Sequence, residues 1–110
     1  MQIGLVTTPD HVRIAYSVQG DGPPLVFVRG WFSHLELLWD DPLFRAYFEA
    51  LAQHFTVTRF DMRGNGLSDN RVPKIDLAGM VVDLQTVIAS LGAQKVVLYG
   101  QCFGGPAAIA

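Results

Sequence analysis

The sequence predicts an α/β protein with a mostly parallel sheet, helices on both faces, and the element order β-β-β-α-β-α-β-α. Three observations predict it. The runs Leu25-Val26-Phe27-Val28 and Lys95-Val96-Val97-Leu98-Tyr99 are largely continuous in apolar residues, not alternating. That suits strands buried on both faces of a parallel sheet. Strands and amphipathic helices take turns from Leu25 onward, as right-handed crossovers require. The last strand runs directly into Gly100-Gln101-Cys102-Phe103-Gly104-Gly105, a glycine-flanked bend before a third helix that begins near Phe103.

The elements follow in order. Gln2–Thr7 reads as a short strand, and Pro9-Asp10-His11 carries turn chemistry. Val12–Val18 alternates apolar and polar, so it reads as a half-buried strand paired with the first in a hairpin. Gly20-Asp21-Gly22-Pro23-Pro24 is a second turn, and Leu25–Val28 the third strand. Trp31 to Asp40 reads as a loop or short helix. A longer helix then starts, with Asp41 as N-cap and Pro42 at its first position. Leu43, Phe44, Tyr47, Phe48 and Leu51 form its apolar face. Thr56–Phe60 is the next strand, and Asp61–Asn70 a turn-rich loop. The second helix spans Leu77 to Leu91, with Leu77, Met80, Val81, Leu84, Val87, Ile88 and Leu91 facing one way and Gly92 as its C-terminal cap.

Composition narrows the class. The chain has 110 residues, enough for one small domain, and is 50% hydrophobic and 16% charged. A disordered chain lacks that much apolar surface. No apolar run reaches the roughly 18 residues of a membrane span. Met1-Gln2-Ile3-Gly4-Leu5 shows no basic segment followed by an apolar stretch. Cys102 is the only cysteine, which excludes an internal disulfide and a four-thiolate zinc site. The net charge is −2, without the basic stripe of a nucleic-acid binder. The expectation is a cytoplasmic domain with no nucleic-acid partner, no membrane association, no cofactor and no metal. Gly105-Pro106-Ala107-Ala108-Ile109-Ala110 opens an apolar helix with no stop signal, so the chain is expected to be the N-terminal part of one longer domain, interrupted in that helix.

The strand-to-helix bend carries the chemistry. A side chain lifted out of so sharp a turn needs small neighbours, and Gly100 and Gly104 stand two residues either side of Cys102. A helix N-terminus behind it supplies unpaired N–H groups and partial positive charge. That field favours a thiolate at Cys102. It also favours an oxyanion, so the Phe103 N–H is a candidate donor. The bland alternative is a small buried cysteine in a tight turn, since free cysteines are often inert.

Taken together, these segments resemble the N-terminal portion of the α/β-hydrolase fold superfamily. Leu25-Val26-Phe27-Val28-Arg29-Gly30-Trp31 matches the third strand and oxyanion loop. Asp61-Met62-Arg63-Gly64-Asn65-Gly66-Leu67-Ser68-Asp69 matches the Asp-x-Arg-Gly-x-Gly-x-Ser loop. Gly100–Gly104 matches the nucleophile elbow. The resemblance covers essentially the whole chain and is most similar to the branch fused to bacterial cyclase or helix-turn-helix signalling modules. It implies strand order 1-2-4-3-5, Cys102 as nucleophile, and the N–H groups of Trp31 and Phe103 as the oxyanion hole. It implies hydrolysis of a small ester, lactone or similar acyl substrate, with a non-catalytic ligand-sensing domain on the same fold as the alternative. It also implies that Asp61 and Arg63 tie neighbouring loops together and take no part in acid–base work.

Departures from the family pattern matter as well. The elbow usually carries serine, although dienelactone hydrolases use cysteine there. Arg29 stands where histidine is usual, and a structural pairing with Asp61 or another acid is expected of it. In this family the acid and histidine follow the nucleophile. Only eight residues follow Cys102, none of them acidic or histidine. His11, His34 and His54 all precede it, and of these His34, beside Glu36, is the one nearest the expected pocket. The segment is therefore expected to be inactive alone, and Val96–Tyr99 to form an exposed, aggregation-prone edge.

Overall fold

The computed structural model describes residues 3–28, 34–69, 77–92 and 95–100. The elements are β1 (Ile3–Thr7), β2 (Arg13–Gln19), β3 (Pro24–Val28), α1 (Leu35–Asp40), α2 (Pro42–Ala52), β4 (Thr56–Phe60), α3 (Leu77–Leu91) and β5 (Val97–Gly100). The stretch before Asp41 thus contains a short helix of its own. The expected third helix, from Phe103, lies outside the described residues.

The five strands form one sheet in the order β1-β2-β4-β3-β5, as the family resemblance implies. β3 pairs in parallel with β4 and with β5. β1 pairs antiparallel with β2, and β2 antiparallel with β4. The sheet is therefore mixed: its parallel part is β4-β3-β5, and the hairpin adds an antiparallel margin. His11 turns the hairpin in a left-handed conformation (φ 68°), and Thr8 Oγ1 accepts from the Val12 N–H at 3.0 Å.

Helices cover both faces. Successive side chains of a strand point to opposite sides, so β3 divides its apolar run. Val26 and Val28 join Ile14, Phe60 and Met62 against Met80, Leu84 and Val87 of α3. Leu25 and Phe27 join Val57 against Phe48 of α2, with Trp39, Phe44 and Leu51 around them. Each face has its own core, which is why β3 needs no polar positions.

The caps behave as the sequence predicts. Asp41 accepts from the Leu43 N–H at 2.9 Å, with Pro42 in the first turn. Gly92 closes α3 at φ +68°, a region that L side chains rarely enter.

The helix faces differ from expectation in three places. Leu43 is 83% exposed, and Tyr47 is exposed too. Both lie beside Tyr99 over the β5 margin, with no described element above them. Leu77, the first residue of α3, is also exposed. Conversely Asp83 is completely buried on the apolar face of α3, because it meets a buried arginine. β5 is exposed along its whole length, as expected of an edge strand.

Candidate active site

The carboxyl ends of β3, β4 and β5 lie at the same edge of the sheet. Parallel pairing sets Val28 opposite Gly100 and Phe27 opposite Arg59. Paired strands run about 4.8 Å apart. In open α/β sheets, ligands bind outside the carboxyl ends of the strands. The segments leaving this edge are 29–33, 61–69 and the stretch after Gly100. Trp31, Cys102 and Phe103 lie outside the described residues, as does Arg29 with its expected pairing to Asp61 or another acid.

Asp61 is the first residue after β4 and is completely buried. Its Oδ2 accepts from two backbone N–H groups, Leu35 at 3.1 Å and Leu67 at 3.0 Å. Its own N–H donates to the Ala15 carbonyl at 3.0 Å, and its carbonyl accepts from the Ser68 hydroxyl. Ser68 Oγ in turn accepts from the Ala15 N–H at 2.9 Å. Gly66, at φ +46°, makes this possible. A Cβ there would stand 2.2 Å from Asp61 Oδ2 and 2.9 Å from His34 Cα. One buried carboxylate thus joins the start of α1 to the glycine-rich loop.

Arg63 ties a second set of segments. Its Nη1 donates to Asp10 Oδ2 at 2.6 Å, and its Nη2 to Asp83 Oδ1 at 2.8 Å. Its Nε donates to Asp83 Oδ1 at 3.0 Å and its backbone N–H to Asp83 Oδ2 at 2.9 Å. The hairpin turn, the loop and α3 are held by one guanidinium. The hydrogen bond from Arg63, then that from Thr8, holds Asp10 well below the usual carboxylate range. Burial pushes the Asp83 carboxyl up, while the Arg63 donors pull the other way. Asp69 closes the loop on β2, accepting from the Arg13 N–H at 2.8 Å and its Nη2 at 3.0 Å. The loop therefore carries the tying role expected of it, with both Asp61 and Arg63 committed to structural bonds.

The histidines fall into place. His34 is the N-cap of α1, its Nδ1 accepting from the Leu37 N–H at 3.2 Å. Glu36 lies exposed in the first turn of that helix, where the helix dipole favours an acid. His11 and His54 are exposed at the hairpin turn and after α2. Among the described residues no group of three or more His, Cys, Asp or Glu could hold a metal ion.

Comparison with known proteins decides the family. The family model for the alpha/beta hydrolase fold matches residues 23–110. The chain belongs to the α/β-hydrolase fold family. A soluble epoxide hydrolase of Corynebacterium sp. (strain C12) is 34% identical over 96 residues, covering 87% of this chain and 32% of that protein. A hydrolase from Pseudomonas aeruginosa PA01 superposes with TM-score 0.82 at 27% identity, over 96% of this chain and 38% of that one. An esterase from Rhodococcus sp. ECU1013 gives TM-score 0.80 at 29% identity, over 98% and 39%. The chain thus spans between three and four tenths of the length of these relatives.

Two features of this α/β-hydrolase chain escaped sequence reading. Arg59 is buried in β4, its guanidinium carbon 4.5 Å from the Phe48 ring centroid and 5.6 Å from that of Trp39. Burial pushes its pKa down, and the nearby Asp61 charge opposes that. The other is an open apolar groove of about 260 Å³ lined by Phe27, Leu43, Phe44, Tyr47 and Tyr99. At its rim the Tyr47 and Tyr99 hydroxyls are 2.7 Å apart. Arg59 alternates with Val57 and Asp61 on one strand face, but nothing local signals an arginine facing a core. Tyr47 was legible only as one member of a helical apolar stripe.

Proposed function

We propose that this chain is the nucleophile-bearing part of an α/β-hydrolase domain that cleaves a small hydrophobic ester or lactone through Cys102. The observation that carries the reading is the parallel register of Val28 with Gly100. From neighbouring strand ends, Trp31 is three residues on and Cys102 two. So short a chain reach supports a shared site at the carboxyl edge. The Cys102 thiolate attacks the acyl carbon, a C–S bond forms, and the carbonyl π pair moves onto oxygen. The N–H groups of Trp31 and Phe103 receive that oxyanion. Its collapse breaks the C–O bond, and the leaving alkoxide takes a proton. Water then hydrolyses the thioester, releasing acid and thiol. Turnover needs a base with an orienting acid, and His34 is committed to capping α1. The remainder of the domain, the greater part of the length of the relatives, supplies them on this reading. Trp31, Phe32 and Phe103 favour an apolar acyl group.

The test is acyl trapping in the full-length protein with p-nitrophenyl acetate, read by mass mapping. Acetylation at Cys102, lost in Cys102→Ala, is the expected result. Reversible ligand binding without labelling would instead support the ligand-sensing alternative, to which the Cys102 and Arg29 departures point.

A further inference from the structure

The main chain at Leu35 is gripped from both sides by two charged residues, Arg59 of β4 and Asp61 just after it. Its N–H donates to Asp61 Oδ2 at 3.1 Å, and its carbonyl accepts from Arg59 Nη2 at 3.3 Å. Arg59 and Asp61 are two positions apart, so they project from the same face. All three residues are buried. Leu35 opens a helix of only six residues, directly downstream of the 29–33 segment. Upstream, that segment leaves from Val28, which the sheet fixes by its pairing with Gly100. The downstream tether is this side-chain grip.

Buried charges are poor stabilisers, because desolvation offsets much of what they gain from their partners. Apolar residues would fill the same space at lower cost, so what the charges supply here is geometry. The crowding agrees. The position of a Gly66 Cβ would lie within 3 Å of both Asp61 Oδ2 and His34 Cα, so the three chain segments meet with no slack.

We propose that Arg59 and Asp61 are positioning residues, which hold the Leu35 peptide so that the oxyanion donor four residues upstream, at Trp31, is presented in register. The proposal rests on the acyl-transfer reading above.

Two reactions at Cys102 separate positioning from mere stability. Acylation by p-nitrophenyl acetate passes through an oxyanion: the C–S bond forms, the C–O bond breaks, and p-nitrophenolate leaves. Alkylation by iodoacetamide has no oxyanion: the thiolate displaces iodide, forming C–S and breaking C–I. Both are followed in the full-length protein at the peptide carrying Cys102. Asp61→Asn removes the charge of the grip. Leu35→Pro, set against Leu35→Ala as its control for the lost buried side chain, removes the N–H at a first helical position that tolerates proline after an extended residue (His34 φ −156°, ψ 115°). In both variants acylation should fall about 10- to 100-fold, the scale of a slight misplacement of a catalytic group, while alkylation stays within about twofold. Val87→Ala, destabilising but in the α3 core away from the grip, should leave the ratio of the two rates unchanged. An unchanged ratio in whichever of Asp61→Asn and Leu35→Pro folds, with the wild type acylating normally, overturns the proposal. A wild type that is alkylated but never acylated overturns the acyl-transfer reading itself.

Discussion

β4 and β5 flank the same strand, and both lie parallel to it, yet one is buried and the other bare. Val57, Thr58, Arg59 and Phe60 are all 1–3% exposed, whereas Val97, Leu98 and Tyr99 are 36–48% exposed. Composition would rank them the other way, since β4 carries two threonines and an arginine. The difference lies in what surrounds each. β4 has a strand on both sides and a helix over each face, and its carboxyl end runs into the Asp61 and Arg63 ties. β5 has β3 on one side and, among the described residues, only the tyrosine contact of α2 above it. Burial here is set by rank in the sheet and by charged ties at its ends, more than by the apolar content of the strand.

The largest effects should come from breaking the β4 side. Arg63→Met removes the guanidinium and leaves Asp83, wholly buried, without its side-chain donors and with the residue-63 backbone N–H still bonded to it. The expected loss is about 3–5 kcal/mol. Phe48→Ala, which empties the packing over Phe27 and Val57, should cost about as much, roughly 3–5 kcal/mol. Leu43→Ala, on the same helix but over the β5 margin, should stay within about 0.5 kcal/mol. Urea unfolding of the three variants checks the contrast. Similar losses at Phe48 and Leu43 would erase the distinction between the two sides.

A smaller effect sharpens the same comparison by pH. Asp10 and Asp69 sit on the closed side, and arginine contacts hold both below the usual carboxylate range. A depressed carboxylate contributes stability above its unfolded pKa, near 3.9, and loses it as pH falls through the lower folded value. The unfolding midpoint should therefore drop as pH falls below about 4. Asp10→Asn should be less stable than the wild type at pH 6 and show a shallower acid slope. Parallel acid slopes would show that the Asp10–Arg63 bond contributes nothing to stability.

Much of this was legible in sequence because the signals are local. The bounds of α3, the caps at Asp41 and Gly92 and the hairpin at Pro9–His11 rest on periodicity and turn chemistry within a few residues. The strand order followed from family resemblance, not from the residues alone. What escaped depends on partners far away in the chain. Asp83 reads as a break in an apolar face until Arg63, 20 residues earlier, arrives beside it. Asp61 was expected to tie loops, but Arg59 looks like a solvated charge until Leu35, 24 residues upstream, lies across it. Tyr47 reads as core, yet its hydroxyl finds Tyr99, 52 residues on, at an open rim. The nucleophile and oxyanion positions, Cys102, Trp31 and Phe103, were legible as a motif and lie outside the described residues.

The open side has a weaker tie of its own. The 2.7 Å contact with Tyr99, then burial, pushes the Tyr47 hydroxyl up to about 12. The raised value means that the bonded neutral form is favoured, so its contribution is present below pH 10 and lost as pH rises through the folded value. In an absorbance titration Tyr99→Phe should bring Tyr47 back toward 10. Because the pair is exposed, Tyr99→Phe should change stability at pH 7 by less than about 0.5 kcal/mol. A Tyr47 titration that ignores Tyr99→Phe would rule out the hydrogen bond between Tyr47 of α2 and Tyr99 of β5. A stability loss of several kcal/mol would mean that the β5 margin is braced as firmly as β4, and the contrast drawn between the two sides would fail.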